Sequence, residues 1–401
     1  MRLQLITIFC FLYFFTQAQE KPVTTKEKKV LNKSEVDFLL SYYHQEGNNS
    51  AVTGGSGTEK LSDYVSSIIV TVPTKPKREF TLEHTMSYYT SASSDNINPT
   101  TISSASSDNL VHKVNLTEVY KDTARNSQAG FKLGGTHQNN FGGFSLGTFY
   151  SKQSENKNRE FKVQASYTLD KWALYYHISK LYPYELKGQG RLVSTDKRYS
   201  YNLSFAYKQI LTPRIQTQLA GELIYQYGLL STPFHRVYFK DPQQTMAKLE
   251  KLPGHRLRVP LTFRLNYYAF DWLLVRSMYR YYTDTYGLEA HTVNLELPFK
   301  ITNFFSLYPF TNYHTQTAIR YFKGYKKHVL TEKFYTSDYD LSTLWSIEYG
   351  GGFYYSPVNN IFYFKKGRNF ALKKWEMRYA YYKRSTGLHA SIITTHFGFI
   401  F

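Results

Sequence analysis

From about residue 61 onward the chain alternates apolar and polar residues with a period of two, and the two faces this creates are chemically unlike. In 79–88, Phe80, Leu82, Met86 and Tyr88 oppose Glu79, Thr81, Glu83, Thr85 and Ser87, with His84 the one polar residue of apolar parity. In 161–169, Phe161, Val163, Ala165, Tyr167 and Leu169 oppose Lys162, Gln164, Ser166 and Thr168. The pattern returns in 199–207, where Tyr199, Tyr201, Leu203, Phe205 and Tyr207 oppose Ser200, Asn202 and Ser204, and again in 215–225. A period of two is that of a β-strand, whose successive side chains point to opposite faces. A soluble sandwich alternates as well, but its buried face is a core of bulky aliphatics. Here the apolar face is dominated by Tyr, Phe and Leu, and the other carries Glu, Lys, Arg, Gln and Asn. A packed core cannot accept that many charges unless each is paired. A water-filled lumen can, and lipid satisfies the aromatic face.

Composition agrees. Aromatics are 18% of the 401 residues, with 38 Tyr, yet the mean hydropathy is −0.45. A helical span needs an apolar run of ~20 residues, and none occurs past residue 15. Disordered chains are poor in aromatics. In a bilayer every backbone donor and acceptor must be paired internally, so a sheet of such strands must close on itself. Short turns at Asp170-Lys171, Thr212-Pro213-Arg214, Asp271-Trp272 and Thr302-Asn303 alternate with longer connections at 91–109, 183–197, 228–255, 317–341 and 357–373. That alternation marks a meander with one periplasmic and one outer rim. The expected fold is an all-β, transmembrane, antiparallel up-and-down β-barrel of about 16 strands (14–18) over 61–401, preceded by a short periplasmic arm.

Arg2, the apolar run Leu3–Phe15 and Thr16-Gln17-Ala18 read as a signal peptide over 1–18. The single cysteine, Cys10, lies inside it, so the mature chain is expected to hold no disulfide and no thiolate site. Residues 19–60, with Lys21, Lys26, Lys28, Lys29 and Lys33, read as a periplasmic arm ending in the glycine-rich turn Gly54–Gly57. No glycine-lysine-hydroxyl signature is present there, which argues against a phosphate loop. The net charge of +19 would suggest nucleic acid in a cytoplasmic protein. Export argues against that partner, and leaves membrane lipids with anionic head groups, an anion-favouring conduit, or solvated loops. At the C-terminus Phe397, Phe399 and Phe401 share one face, a pattern that resembles the signal read by the outer-membrane insertion machinery.

Seven segments, AVTGGSGTE (51–59), TSASSDN (90–96), SSASSDN (103–109), LSTPFHRVY (230–238), YRYYTDTYG (279–287), YTSDYDL (335–341) and RYAYYKRS (378–385), occur in this order over roughly 51–401. The ordered set resembles the family called domain of unknown function 3570, whose members are outer-membrane β-barrels of Bacteroidota type. The resemblance implies no catalytic residue. It implies a setting beside an envelope flavin-transferase, a thioredoxin-like protein and a lipoprotein, and hence an envelope flavin or redox pathway.

The residues point to a lumen site. Arg256, Arg258 and Arg264 share one parity in their strand, and Arg276, Arg280 and Asp284 share one in the next. The short turn at Asp271-Trp272 makes these strands neighbours, so five guanidinium groups are expected in one stretch of lumen. Glu222, Asp284 and Glu296 are placed to neutralise them in part. A structural lattice and a bias toward anions both fit. In the loops, Phe234, His235 and Arg236 suggest a lid or partner contact, and Asp338 and Asp340 a second contact or a cation clamp. The twin Ser-Ser-Asp-Asn segments, thirteen residues apart from Asp95 to Asp108, fit loop-ordering Asx-turns better than a calcium site. No His-Glu-x-x-His or Gly-x-Ser-x-Gly occurs. His84 and His389 read as satisfied or interfacial imidazoles, and no catalytic, cofactor or metal residue is assigned. Three functions follow in order: a channel or export conduit for a small anionic solute, a filled barrel anchoring an envelope complex, and a barrel hydrolase.

Overall fold

The computed structural model describes residues 33–91, 109–138, 141–175, 192–232, 235–241, 247–364 and 370–401. The signal-peptide reading, Cys10, most of the paired Ser-Ser-Asp-Asn segments and Phe234 lie outside the described residues. The strands begin with β1 (Glu35–Glu46), β2 (Leu61–Lys75), β3 (Arg78–Ser91), β4 (Asn109–Asp122), β5 (Ser127–Gln138) and β6 (Phe141–Gln153). They continue with β7 (Arg159–Tyr175), β8 (Leu192–Thr212), β9 (Ile215–Gly228), and the short pair β10 (Arg236–Val237) and β11 (Lys248–Leu249). Next come β12 (His255–Phe270), β13 (Leu273–Asp284), β14 (Glu289–Glu296), β15 (Phe299–Lys300) and β16 (Phe305–Gln316). The last are β17 (Leu344–Tyr355), β18 (Phe362–Tyr363), β19 (Ala371–Arg384) and β20 (His389–Ile400).

Sixteen of these are wall strands, each antiparallel to its neighbours in the chain. β15 resumes β14 beyond Pro298, which has no N–H to give to a ladder, and β18 is a short added edge against β19. β10 and β11 form a separate hairpin outside the wall. β1 closes the barrel by pairing with β2 on one side and β20 on the other.

Closure revises the expected arm. Residues 35–46 are a wall strand, with Phe38 opposite Phe397 and Val36 opposite Phe399. The backbones of Ser34 and Phe401 exchange two hydrogen bonds of 3.0 Å. Adjacent apolar residues in β1, Leu39-Leu40 and Tyr42-Tyr43, blur the alternation. The closing partner of β20 is nevertheless obligatory, since an open edge in hydrocarbon leaves backbone groups unpaired.

Tyr201, Leu203, Phe205, Leu219, Leu223, Leu261, Phe263, Tyr279 and Tyr349 all point outward and are exposed, as lipid-facing side chains must be. Phe397, Phe399 and Phe401 share that outward parity, and Phe397 stacks on Trp375 at 6.0 Å. The tight connections β2–β3, β4–β5, β6–β7, β8–β9 and β12–β13 fall on one rim, together with the start of β1 and the end of β20. In outer-membrane barrels the periplasmic turns are short, and this rim is called the periplasmic rim on that pattern. The stretch 357–373, read from sequence as one of the long connections alternating with short turns, joins the end of β17 to β19 at this same rim. Asp170-Lys171 is no turn: both residues lie inside β7, where Asp170 faces the lumen and takes two hydrogen bonds from Arg198 at 2.8 and 2.9 Å. The glycine-rich segment 54–57, expected at the end of a periplasmic arm, lies in the β1–β2 connection on the opposite rim.

Candidate functional site

The inner wall near the periplasmic rim carries an ionic belt. Glu296 on β14 holds Arg276 of β13 at 2.7 Å and Arg378 of β19 at 2.9 Å. Arg378 also meets Glu376 at 3.1 Å. His396 on β20 lies 3.9 Å from Glu376 and 2.7 Å from Asp37 of β1, which Lys374 reaches at 2.8 Å. Tyr308 of β16 donates to Glu376 at 2.5 Å and lies flat under the Arg378 guanidinium. Gly352 on β17 makes room for this ring, since a Cβ there would sit 2.6 Å from it. The belt thus passes over β16 and β17 to link β13 and β14 with β19, β20 and β1.

The five arginines do not share one stretch of lumen. The β12–β13 register, with Arg258 opposite Asp284 and Asn266 opposite Arg276, spreads them along the barrel axis. Arg256, close to the outer rim, is ion-paired with buried Asp284 and stacks over Tyr286. Arg258 donates to the Tyr282 hydroxyl at 3.0 Å, and Arg276 belongs to the belt. Arg264 and Arg280 alone line a common cavity of about 420 Å³ against β7, β8 and β9. Lys162, Lys208, Glu160 and Glu222 line it too, so four cations face two carboxylates. Glu160 is engaged by Lys208 at 3.5 Å, and Glu222 accepts from Asn202 at 3.4 Å. Arg264, Arg280 and Lys162 make no ion pair among the described residues. Arginine stays charged throughout the accessible pH range, so this part of the lumen carries a positive field.

At the outer rim the connections 47–60 and 317–343 and the described residues of the β9–β12 connection fold together into a cap. Leu252, Tyr286, Leu288, Ala290 and Ile319 are its main buried cluster, with Val237, Phe239 and Tyr335 a second. Asp284 fastens the β13–β14 turn by accepting from Tyr286 N at 2.8 Å and Leu288 N at 3.2 Å. From the inner wall, Gln316 donates to the Ser342 and Asp340 carbonyls at 2.7 and 2.9 Å, and Arg384 pairs with Asp340. Asp340 is therefore turned toward Arg384, and its backbone N–H donates to Asp338 Oδ1 at 2.9 Å.

Asp338 instead faces His235. Its Oδ2 lies 3.5 Å from His235 Nδ1, and Glu250 Oε1 lies 3.8 Å from the same nitrogen. Burial, reinforced by Asp340, pushes the Asp338 carboxyl up to about 6 against the pull of His235. Burial and Asp340 push Glu59 up to about 7. Burial alone would lower His235, but Glu250 and Asp338 hold the imidazole above its usual value. Arg236 follows His235 into the same hairpin. Sequence reasoning did not single out Glu59, Glu250, Arg378, Arg384, Glu376 or Asp37. Glu59, Arg378 and Arg384 lie in segments that carry the family resemblance, and that was the available signal. His84 is on the outward face, its Nε2 3.2 Å from His112 Nδ1. His389 lies on the outer rim, 3.8 Å from Glu46.

Solved structures that superimpose on this fold include the following three. A bacterial polysaccharide outer membrane secretin superimposes with a TM-score of 0.50 at 10% identity, over 93% of this chain and 100% of that one. The siderophore receptor PirA from Pseudomonas aeruginosa gives 0.42 at 9% identity over 89% of this chain, which spans 57% of the receptor. The outer membrane protein opdK from Pseudomonas aeruginosa gives 0.39 at 6% identity, over 92% of this chain and 99% of that one. At these identities the likeness is one of fold. No curated protein matches the sequence. The family profile described as protein of unknown function DUF3570 matches residues 66–391, and the chain belongs to that family.

Proposed function

We propose that this chain is an outer-membrane channel for small anionic solutes, governed at its outer mouth by the cap. The observation that carries the reading is the cavity in which Arg264, Arg280 and Lys162 face the lumen without carboxylate partners. Cations kept only to brace the wall are expected to be paired, as Arg256 and Arg276 are. Unpaired ones raise the local concentration of anions. The proposal is diffusion along a charged path with no covalent step. A second reading, a filled barrel that anchors an envelope assembly, is favoured by the packing of the cap across the mouth. The flavin and thioredoxin-like proteins implied by the family resemblance are the partners proposed for that reading. Conductance of the purified protein in planar bilayers separates the two. Anion-selective current supports the channel, and a silent bilayer both with and without the cap supports the anchor.

A further inference from the structure

Three side chains in the cap converge on a point that no hydrogen bond fills. His235 Nδ1, Glu250 Oε1 and Asp338 Oδ2 lie within 4.8 Å of one another. The nitrogen is 3.8 Å from the first oxygen and 3.5 Å from the second, beyond hydrogen-bond reach. It is sealed from solvent and has no hydrogen-bond partner among the described residues. Buried polar atoms are almost always satisfied, so an orphaned imidazole nitrogen aimed at two carboxylates calls for an occupant.

The carboxylates are held as ligands would be. Glu250 accepts from Thr232 N at 2.6 Å on one oxygen and from Thr336 Oγ1 at 2.5 Å on the other. Its side chain is only 2% exposed. Asp338 accepts from Asp340 N at 2.9 Å through Oδ1, which leaves Oδ2 facing the histidine. Such outer bonds fix the aim of a metal ligand. Around a tetrahedral ion with bonds of ~2.0–2.1 Å, neighbouring ligand atoms are roughly 3.4 Å apart. The two distances from the imidazole nitrogen, 3.8 and 3.5 Å, need only a small contraction to reach that spacing, and the two carboxylate oxygens start within 4.8 Å of each other.

We propose that His235, Glu250 and Asp338 bind a divalent transition-metal ion of the Zn²⁺ class. One imidazole with two carboxylates suits a borderline first-row ion, whereas calcium takes an all-oxygen shell. Local charge agrees with this choice. Glu59, Glu250, Asp338 and Asp340 crowd the site, and Arg384 is committed to Asp340. An ion here would tie 229–254 to 317–343 and so fasten the cap. The site stands whether or not the lumen conducts.

The test uses the full chain in detergent, stripped with a chelator and titrated with Zn²⁺ against a chromophoric competitor. One ion per chain is expected, with affinity reduced at least ~10-fold in His235→Ala and in Asp338→Asn. Hydrogen exchange of 235–241 and 335–341 in the wild type is read alongside, and Zn²⁺ is expected to slow it. That reading decides the matter even where a variant does not fold. Absence of stoichiometric binding, wild-type affinity retained in either variant, or exchange indifferent to Zn²⁺ overturns the proposal and leaves a histidine-carboxylate ion pair in its place.

Discussion

Gly54 exists where it does because the Tyr238 ring occupies the space of its missing side chain: a Cβ on Gly54 would lie 2.5 Å from that ring. Gly54 belongs to the β1–β2 connection and Tyr238 to the β9–β12 connection. The eight strands β2 to β9 separate these connections, half of a sixteen-strand ring. Loops rooted on opposite sides of the barrel therefore meet over the mouth. Gly55 extends the contact, with φ of +85° and a Cβ position 2.7 Å from the Ser337 carbonyl oxygen.

Substituting either glycine is expected to part the cap without harming the barrel. Gly55→Val places a branched residue at positive φ against a fixed carbonyl, a strain of about 1–3 kcal/mol. Proteolysis within 229–254 is expected to speed up while the wall keeps its resistance. If the protein conducts, current per molecule rises. Unchanged proteolysis would show that the cap does not depend on this contact.

Charge selectivity is expected to follow Arg264 and Arg280. Replacing both with Glu makes the cavity count two cations against four carboxylates. The reversal potential under a salt gradient is expected to change sign. Arg276→Glu is the contrasting case, because Arg276 is already paired with Glu296. A selectivity that ignores the double variant would rule out this cavity as the filter.

Two carboxylates should differ in their value to stability. The Asp284 side chain is fully buried, and it holds Arg256 and two backbone amides. Asp284→Asn is expected to cost about 3–5 kcal/mol, as when a buried pair loses a partner. Glu296 holds arginines that are 51% and 39% exposed. Water screens those pairs, so Glu296→Gln is expected to cost only ~1 kcal/mol. Urea midpoints of the two variants check the order.

The cap is expected to be firmer in acid than in base. Asp338 at about 6 and Glu59 at about 7 both lie above their usual values of 3.8 and 4.5. A folded state that holds protons more tightly than the open one has its full stability below the ordinary value, and loses it as pH rises through the raised one. His235, also raised, contributes with the same sign. The neighbouring Glu250, Asp340 and Arg384 define the field that these three feel. Hydrogen exchange of 335–341, corrected for its intrinsic rate, is therefore expected to be faster at pH 8 than at pH 5 in metal-free protein. The opposite trend would contradict this charge balance.

The outward rings of β3, β7, β8 and β9 were legible because a strand's period of two is written directly in the chain. β1 was not, since its apolar doublets hide the alternation and its role depends on β20, more than 340 residues away. The inward parity of Arg264 and Arg280 was legible in the same way. Their freedom from partners, and the capture of Arg276 by Glu296, were not, because strand register sets the height of each side chain along the axis. His235, Asp338 and Asp340 were visible as loop residues, but Glu59 and Glu250 gained meaning only when the loops came together.

By itself the sequence determined a closed barrel of about sixteen strands with its aromatic face outward and its polar and charged face inward. Alternation is a local property, and hydrocarbon tolerates no unpaired backbone. Only the tertiary structure decided which charges neutralise one another and which remain free, and that the mouth is crossed by a cap holding a histidine between two carboxylates. Those outcomes rest on distances between residues scores to hundreds of positions apart, and ring closure and register set such distances.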